Sequence, residues 1–286
     1  MLYRRLDRLD RDLSVLGFGG VVLTDRPQDD CDREVAAAID AGFTYFDVAP
    51  QYGNAQELMG PALEPYRDGV TLACKTLMRT GPEASAELED SLRKLRTDHF
   101  DIYQLHAMTT AEDVDTALTP GGALDAIEQA REQGKVRLVG FSAHDEDAAL
   151  RLIDTGRFDT VLFPLNFTMF DAGVFGPRLI EAANDAGMGI LALKGMARGR
   201  LGVDWEDRPY AKWWYEPEDR ATIAPLLMRY TLGLPGVVAA LPPGQPELFH
   251  LAVDHADSFD APLSEAERAT LRDAMAPFTP LFPAPA

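Results

Sequence analysis

Short apolar runs rich in Val, Ile, Leu and Phe recur along the chain, separated by stretches with helical spacing. Eight runs stand out, at residues 13–20, 43–49, 70–76, 100–106, 136–142, 160–167, 189–196 and 236–241. Most are apolar at nearly every position instead of alternating, as expected of strands buried on both faces. Helical periodicity lies between them at 32–41, 85–95, 124–133, 145–153 and 177–186. Gly42, Gly134, Gly156 and Gly187 stand just past such stretches, where a C-terminal glycine belongs. Eight strand–helix units within 286 residues, with no linker between them, predict one domain over 1–286. The fold class is α/β, a (β/α)8 TIM barrel. A doubly wound open sheet is the alternative. It calls for a glycine-rich turn after its first strand, and the GFGG of Gly17–Gly20 lacks that spacing and sits at the strand's end. Ahead of the first strand, 3–6 and 13–16 flank the polar Asp10, Arg11 and Asp12, which predicts a short N-terminal β-hairpin across the barrel floor.

One connection breaks the rhythm. From Met196 to about Pro217 there is no periodicity, and Trp205, Trp213 and Trp214 fall in it together with Tyr210 and Tyr215. A loop this long in a compact domain is functional or disordered, and disorder does not favour so many aromatics. It follows the seventh strand and so leaves from the face on which barrels carry their chemistry. It reads either as a lid or wall over a substrate or as a loop that packs its aromatics on the rim.

Charge and cysteine usage narrow the function classes. The chain carries 27 Lys+Arg against 46 Asp+Glu, a formal net charge of −19. Such a surface repels nucleic acid and anionic lipid, so neither is an expected partner. A salt-adapted source and a GC-rich genome that favours Arg over Lys both account for this acidity. With only Cys31 and Cys74, a disulfide scaffold and a four-cysteine metal or iron–sulfur site are excluded. The N-terminus MLYRRLDRLDRDL is charged with no apolar run behind it, and no 18-residue apolar window follows. No signal peptide, no membrane span and a cytoplasmic location are therefore the expectation, for a monomer or small homo-oligomer.

Polar side chains gather where the apolar strands end. FDVAPQYG puts Asp47 at the end of the second strand and Tyr52 in the turn after it; LACKT puts Lys75 inside the third; YQLHA puts His106 at the end of the fourth. A lysine inside an apolar strand is costly unless paired, and Asp47 is the neighbouring carboxylate. Tyr52 would then face an ammonium, which favours phenolate and lowers its pKa. A single buried histidine is an ordinary core residue, and a single strand-end aspartate is often a helix cap. Four polar groups on three consecutive strand ends are hard to explain as core polarity.

With these motifs in order, the sequence resembles the aldo-keto reductase family over nearly its whole length. YRRLDR and LSVLGFGG are similar to that family's opening hairpin and first strand, and FDVAPQYGNAQELMGPAL to its signature. LACKT, DHFDIYQLH, GKVRLVGFSAH and a last strand with an LPPG turn follow in sequence. The resemblance implies that Asp47, Tyr52, Lys75 and His106 are a catalytic tetrad. In it Tyr52 is the general acid, Lys75 and Asp47 lower its pKa, and His106 orients the carbonyl. Hydride comes from C4 of NADP(H) or, less in keeping with the family, NAD(H). The implied partner is a small-molecule carbonyl substrate.

The cofactor positions depart from the family's pattern. Its Ser-Asn pair reads Ser142-Ala143, its glutamine position reads Leu162, and its stacking tyrosine reads Leu193. Ser142 is therefore the retained amide contact. Asn166, on the same face as Leu162 and four residues on, is a substitute donor, and His144 is another candidate. Lys194 is new against that pattern and is placed either to reach the pyrophosphate or to pair with an acid; Gly195 and Met196 beside it at the end of the seventh run, and Gly244 in the LPPG turn, are the further cofactor candidates. Residues 241–253 contain no Lys or Arg, so the family's clamp on the 2′-phosphate is missing there. These substitutions resemble a bacterial and archaeal branch; with two cysteines, the C-terminal iron–sulfur extension of some of its members is not expected here. A non-catalytic nicotinamide-nucleotide sensor on the same fold is the alternative function.

Overall fold

The computed structural model describes residues 1–282 apart from Pro209, Ala211, Trp213 and Trp214, and for Trp205 the backbone alone. The chain opens with an antiparallel hairpin of β1 (Tyr3–Leu6) and β2 (Arg11–Ser14), with Tyr3 opposite Ser14 and Leu6 opposite Arg11. The barrel strands follow: β3 (Phe18–Gly19), β4 (Tyr45–Asp47), β5 (Thr71–Thr76), β6 (Phe100–Met108), β7 (Val136–Ala143), β8 (Thr160–Pro164), β9 (Gly189–Leu193) and, after a small hairpin described below, β12 (Val237–Leu241). They lie in that order, parallel throughout. Closure runs through a parallel bridge between Leu16 and Ala240, with Gly17 N donating to Ala240 O at 3.0 Å and Ala240 N to Val15 O at 2.9 Å.

The continuous apolar runs are explained by two separate buried clusters. Tyr45, Ala73, Ile102, Leu138, Leu162, Leu191 and Ala239 point inward, and Leu6 and Leu13 of the hairpin plug them from below. Their strand neighbours Phe46, Leu72, Cys74, Tyr103, Val139, Phe141, Val161 and Ile190 point outward under the helices. Both faces of the strands are dry at nearly every position, so a periodicity of two has no polar half to show.

Eleven helices are described: α1 (Gln28–Asp40), α2 (Ala55–Leu63), α3 (Gly81–Lys94), α4 (Ala111–Leu118), α5 (Ala123–Glu132), α6 (Glu146–Asp154), α7 (Phe167–Phe170), α8 (Pro177–Asp185), α9 (Ala224–Leu232), α10 (Pro246–Val253) and α11 (Glu265–Met275). The five with helical periodicity in the sequence are α1, α3, α5, α6 and α8. Helix α2 is hidden by Gly60 and Pro61. The glycine is required, because a Cβ there would lie 2.1 Å from Lys94 O at the end of α3. Helix α9 is buried at most positions and shows no polar stripe. Helix α11 does carry a readable signal, the Ser264/Glu267 capping box.

Strand ends differ from the sequence reading for local reasons. The run 13–20 divides between hairpin β2 and barrel β3. The run 160–167 stops at Pro164, which has no N–H for a ladder, and Asn166 then caps α7. The run 189–196 stops at Leu193, because Lys194 takes a left-handed φ of 61°. After β9, β10 (Ala197–Arg200) pairs antiparallel with β11 (Tyr215–Pro217), so the connection without periodicity is a hairpin at its two ends. Among the described residues no helix is long and apolar enough to cross a membrane, and no His/Cys/Asp/Glu group could hold a metal ion.

Candidate active site

The carboxyl ends of the strands surround a cavity of about 340 Å³, a size suited to a small ligand or part of a larger one. Asp47 ends β4 and shares its inward face with Tyr45, whose buried hydroxyl donates to Asp47 Oδ2 at 3.1 Å. From the next strand the Lys75 ammonium pairs with Asp47 Oδ1, both groups being buried. Burial by itself would discharge Lys75, but the Asp47 carboxylate and Tyr52 outweigh it and hold its pKa above the ordinary value. The turn after β4 is fixed by Tyr52 N donating to Ala49 O at 3.1 Å and Ala55 N to Tyr52 O at 3.0 Å. It sets the Tyr52 ring with its centroid 5.5 Å from Lys75 Nζ.

Here the expected direction of one pKa is corrected. Tyr52 lies above, not below, its ordinary value. Burial of the phenol is the main cause; Lys75 offsets it only in part, and Asp47 adds to it. The lysine charge that would lower Tyr52 is already compensated by the aspartate that holds it.

His106 reaches the cavity through a bulge. Leu105 pairs with Phe141 but the next partners are Met108 and Ala143, so β6 carries one residue more than β7 at His106–Ala107. Ala107 accordingly has φ of 54°, its N–H donates to Ser142 Oγ at 2.8 Å, and Arg79 Nη2 donates to His106 O at 2.7 Å. The imidazole stands edge-on to Tyr52, with centroids 6.0 Å apart at 89°. Burial first, then the charges of Lys75, Arg79 and Lys194, push its pKa down to about 3. It is neutral near pH 7. Thus the four polar residues expected on three strand ends do meet in one cavity.

The expected cofactor residues separate into two groups. Ser142, Lys194 and Gly244 line the cavity, together with the apolar Leu162, Leu193 and Leu241. Lys194 Nζ lies 3.0 Å from His144 Nε2 and 4.9 Å from the centroid of Phe282, and burial lowers its pKa to about 7. Asn166, Gly195 and Met196 are not among the lining residues. Asn166 Oδ1 accepts from Met169 N at 3.2 Å and Thr168 Oγ1 at 2.9 Å, while its buried Nδ2 has no hydrogen-bond partner among the described residues. Gly195 faces α9, where a Cβ would lie 3.0 Å from Thr231 Oγ1. Met196 is buried, and its carbonyl accepts from Glu218 N. Arg198 donates to Pro217 O and Arg200 to Leu281 O, so both guanidiniums hold the β10–β11 hairpin and the C-terminal segment.

Several lining residues carried too little signal in the sequence. Lys212 Nζ donates to Val21 O and Thr24 O, both at 3.0 Å, tying the β10–β11 connection to the segment after β3. Tyr215, which the sequence does place in the connection read as a lid or wall, lines the same cavity. Trp213, Trp214 and the Trp205 side chain, the centre of the lid reading, lie outside the described residues. Tyr45 and Gln51 went unread because one looks like core and the other like a surface turn; the clue for Tyr45 is its spacing of two from Asp47 on one strand face.

The fold and cavity define a (β/α)8 barrel with a cluster of buried titratable side chains at the carboxyl ends of its strands. The chain belongs to the aldo/keto reductase family, whose family model matches residues 15–213. It is similar to the uncharacterized oxidoreductase YqkF of Bacillus subtilis (strain 168), 26% identical over 60% of this chain and 58% of that protein. It is 30% identical to the aldo-keto reductase YhdN of the same organism, over 46% of this chain and 42% of that one. The matched stretch thus spans about half the length of these curated relatives. Among solved structures, an aldo-keto reductase from Klebsiella pneumoniae in complex with NADPH aligns over 100% of both chains, with TM-score 0.72 and 22% identity.

Proposed function

We propose that the protein reduces an aldehyde or ketone to an alcohol with NAD(P)H, Tyr52 serving as general acid. The observation that carries this reading is the meeting of Tyr52 with the buried Lys75–Asp47 pair and His106 in a single cavity. A nicotinamide fits the residues present. Leu162, Leu193 and Leu241 offer apolar wall, a Cβ at Gly19 would meet nothing within 4 Å, and the Ser142 hydroxyl can still donate after accepting from Ala107 N. Lys194 and Gly244 would hold the phosphate side. Asn166 remains the candidate for the ring's amide through its unpartnered Nδ2, which requires it to turn toward the cavity. The bound nicotinamide supplies a hydride to the carbonyl carbon, which no group of the chain can do.

The chain's own part is the proton. As the C–H bond forms, the carbonyl oxygen takes the phenol proton of Tyr52 and the O–H bond electrons stay on the phenolate. Lys75 stands ready to stabilise that charge. A phenol above its ordinary pKa can still serve, because the forming alkoxide is far more basic than a phenolate. The NADPH-bound Klebsiella pneumoniae structure favours NADP(H), and the lack of Lys and Arg over 241–253 leaves NAD(H) possible. A cytoplasmic location and a monomeric or small homo-oligomeric state belong to the same reading. Titrating the protein with NADPH and NADH by cofactor fluorescence, then assaying an aldehyde panel, tests it. Binding with turnover supports the reductase, binding without turnover supports a sensor, and no binding sinks both.

A further inference from the structure

Lys194 lines the cavity, and the scheme above gives it only the phosphate side of the cofactor to hold. Its backbone is fixed on both sides, by Leu165 N donating to Leu193 O at 3.1 Å and by Ala197 N donating to Lys194 O at 3.0 Å. Between these bonds it keeps a φ of 61°, a strained conformation that persists only where the surroundings impose it. The residue is 6% exposed. Its Nζ ends 3.0 Å from His144 Nε2 and 4.9 Å from the centroid of Phe282, whose ring stacks on His144 with centroids 5.5 Å apart. Two nitrogens at that separation hydrogen-bond only if one offers a lone pair, so the pair carries at most one positive charge. Burial disfavours even that one, and Lys194 gives up its proton with a pKa of about 7. An uncharged lysine amine is a nucleophile for carbonyl carbon.

We propose that Lys194 is a covalent capture site for small aldehydes in the cofactor-free protein. The Nζ lone pair bonds to the aldehyde carbon, the C=O π pair moves to oxygen, and one proton passes from nitrogen to that oxygen. The C–O pair then leaves with the hydroxyl, the nitrogen lone pair closes a C=N bond, and the last nitrogen proton goes to the departing hydroxide as water. Nothing is oxidised or reduced, and water reverses the step. The His144 imidazole, in contact with Nζ, is within reach to carry both protons. The adduct has a regulatory consequence, and that half alone rests on the reductase reading. The cofactor's phosphates would cover Lys194, and their charge favours its ammonium form. Bound cofactor therefore silences the amine, whereas aldehyde that arrives first keeps the cofactor out until water releases it.

Propanal with sodium cyanoborohydride, added at neutral pH to the cofactor-free protein, fixes an imine as a secondary amine. Each captured aldehyde adds its own mass less one oxygen atom, and peptide mapping by mass spectrometry locates it. Lys94 and Lys135, ion-paired at the surface with Glu57 and Glu89, are internal references. Lys194 should be labelled at least about tenfold faster than either, because a lysine of ordinary pKa near 10.4 is almost wholly protonated at neutral pH. Labelling of Lys194 no faster than Lys135 overturns the proposal. That comparison needs no variant; Lys194→Arg, which keeps a cation and removes the nucleophile, should lose the fast site and no other. NADP⁺, which has no hydride to give the aldehyde, should slow Lys194 labelling by about tenfold at a concentration near ten times its Kd, and leave Lys94 and Lys135 unchanged. If calorimetry shows NADP⁺ bound and Lys194 is labelled as fast as before, the regulatory half fails. If NADP⁺ does not bind, that half falls with the reductase reading, and the comparison among lysines still decides the capture site.

Discussion

A phenol buried beside an ammonium that is already paired gives up its proton only when something more basic arrives. That is the condition of Tyr52, whose pKa burial raises more than Lys75 lowers it. Tyr52→Phe keeps the ring and removes the acid. Carbonyl reduction should fall by about 10²–10⁴-fold while NADPH affinity holds, which steady-state kinetics and a binding titration check together. Lys75→Met should cost a comparable factor, now because the phenolate left after transfer loses its counter-charge. If Tyr52→Phe stays active while His106→Ala is dead, the roles are reversed. His106 also makes a pH prediction. Its folded pKa of about 3 lies below the ordinary histidine value of 6.5. Between pH 6.5 and 3 the unfolded chain therefore binds the extra proton, and stability falls as pH drops through that window. Above pH 6.5 this contribution is flat. His106→Gln should reduce the loss of stability between pH 6.5 and 5, measured by denaturant titration; an unaltered slope shows that His106 charges freely in the folded protein.

Elements matter through the way they cross the mouth of the barrel. The β10–β11 hairpin sends Lys212 over to the carbonyls of Val21 and Thr24, and Tyr215 into the cavity wall. Two hydrogen bonds at about 1 kcal/mol each would favour the fastened form by roughly tenfold to thirtyfold. Lys212→Met should accordingly speed NADPH release by about that factor, seen by stopped-flow fluorescence, with little change in melting temperature. An unchanged release rate would return this connection to simple packing on the rim. A second element-scale test concerns α11, whose N-terminus depends on Ser264 accepting from Glu267 N. Ser264→Ala should cost about 1 kcal/mol of stability without altering turnover, as followed by thermal melts alongside the aldehyde assay.

At the scale of the whole molecule the net charge of −19 dominates. Many acidic side chains are paired at the surface, as Asp159 is with Arg8 and Arg131 and Asp125 with Arg157, but acids outnumber bases 46 to 27. The surplus repels itself. The screening length shortens from roughly 30 Å at 0.01 M salt to about 3 Å at 1 M, so the melting temperature should rise across that range. A flat or falling profile in scanning calorimetry would assign the acidity to genome composition and not to salt adaptation.

The barrel was legible because eight dry strands impose eight apolar runs, and glycines mark several of the helix ends between them. Asp47, Tyr52, Lys75 and His106 were legible because a charge or a hydroxyl at the end of an apolar strand has to be accounted for. What the tertiary structure decided is how those groups affect one another. The sequence offers Lys75 as a charge that lowers Tyr52, but burial and Asp47 reverse the sign, and burial is a property of the assembled cavity. A two-residue spacing from Leu162 to Pro164 and again to Asn166 continues an inward face on paper, yet Pro164 ends the strand and Asn166 turns its Oδ1 to cap α7. Helix α9 could not be read because nearly every side of it is covered, and Gln51 because an exposed-looking turn residue gains meaning only when a histidine from two strands away is brought to 2.8 Å. Local pattern fixes which segments must be buried; only long-range closure of the barrel determines which polar atoms then share one dry space.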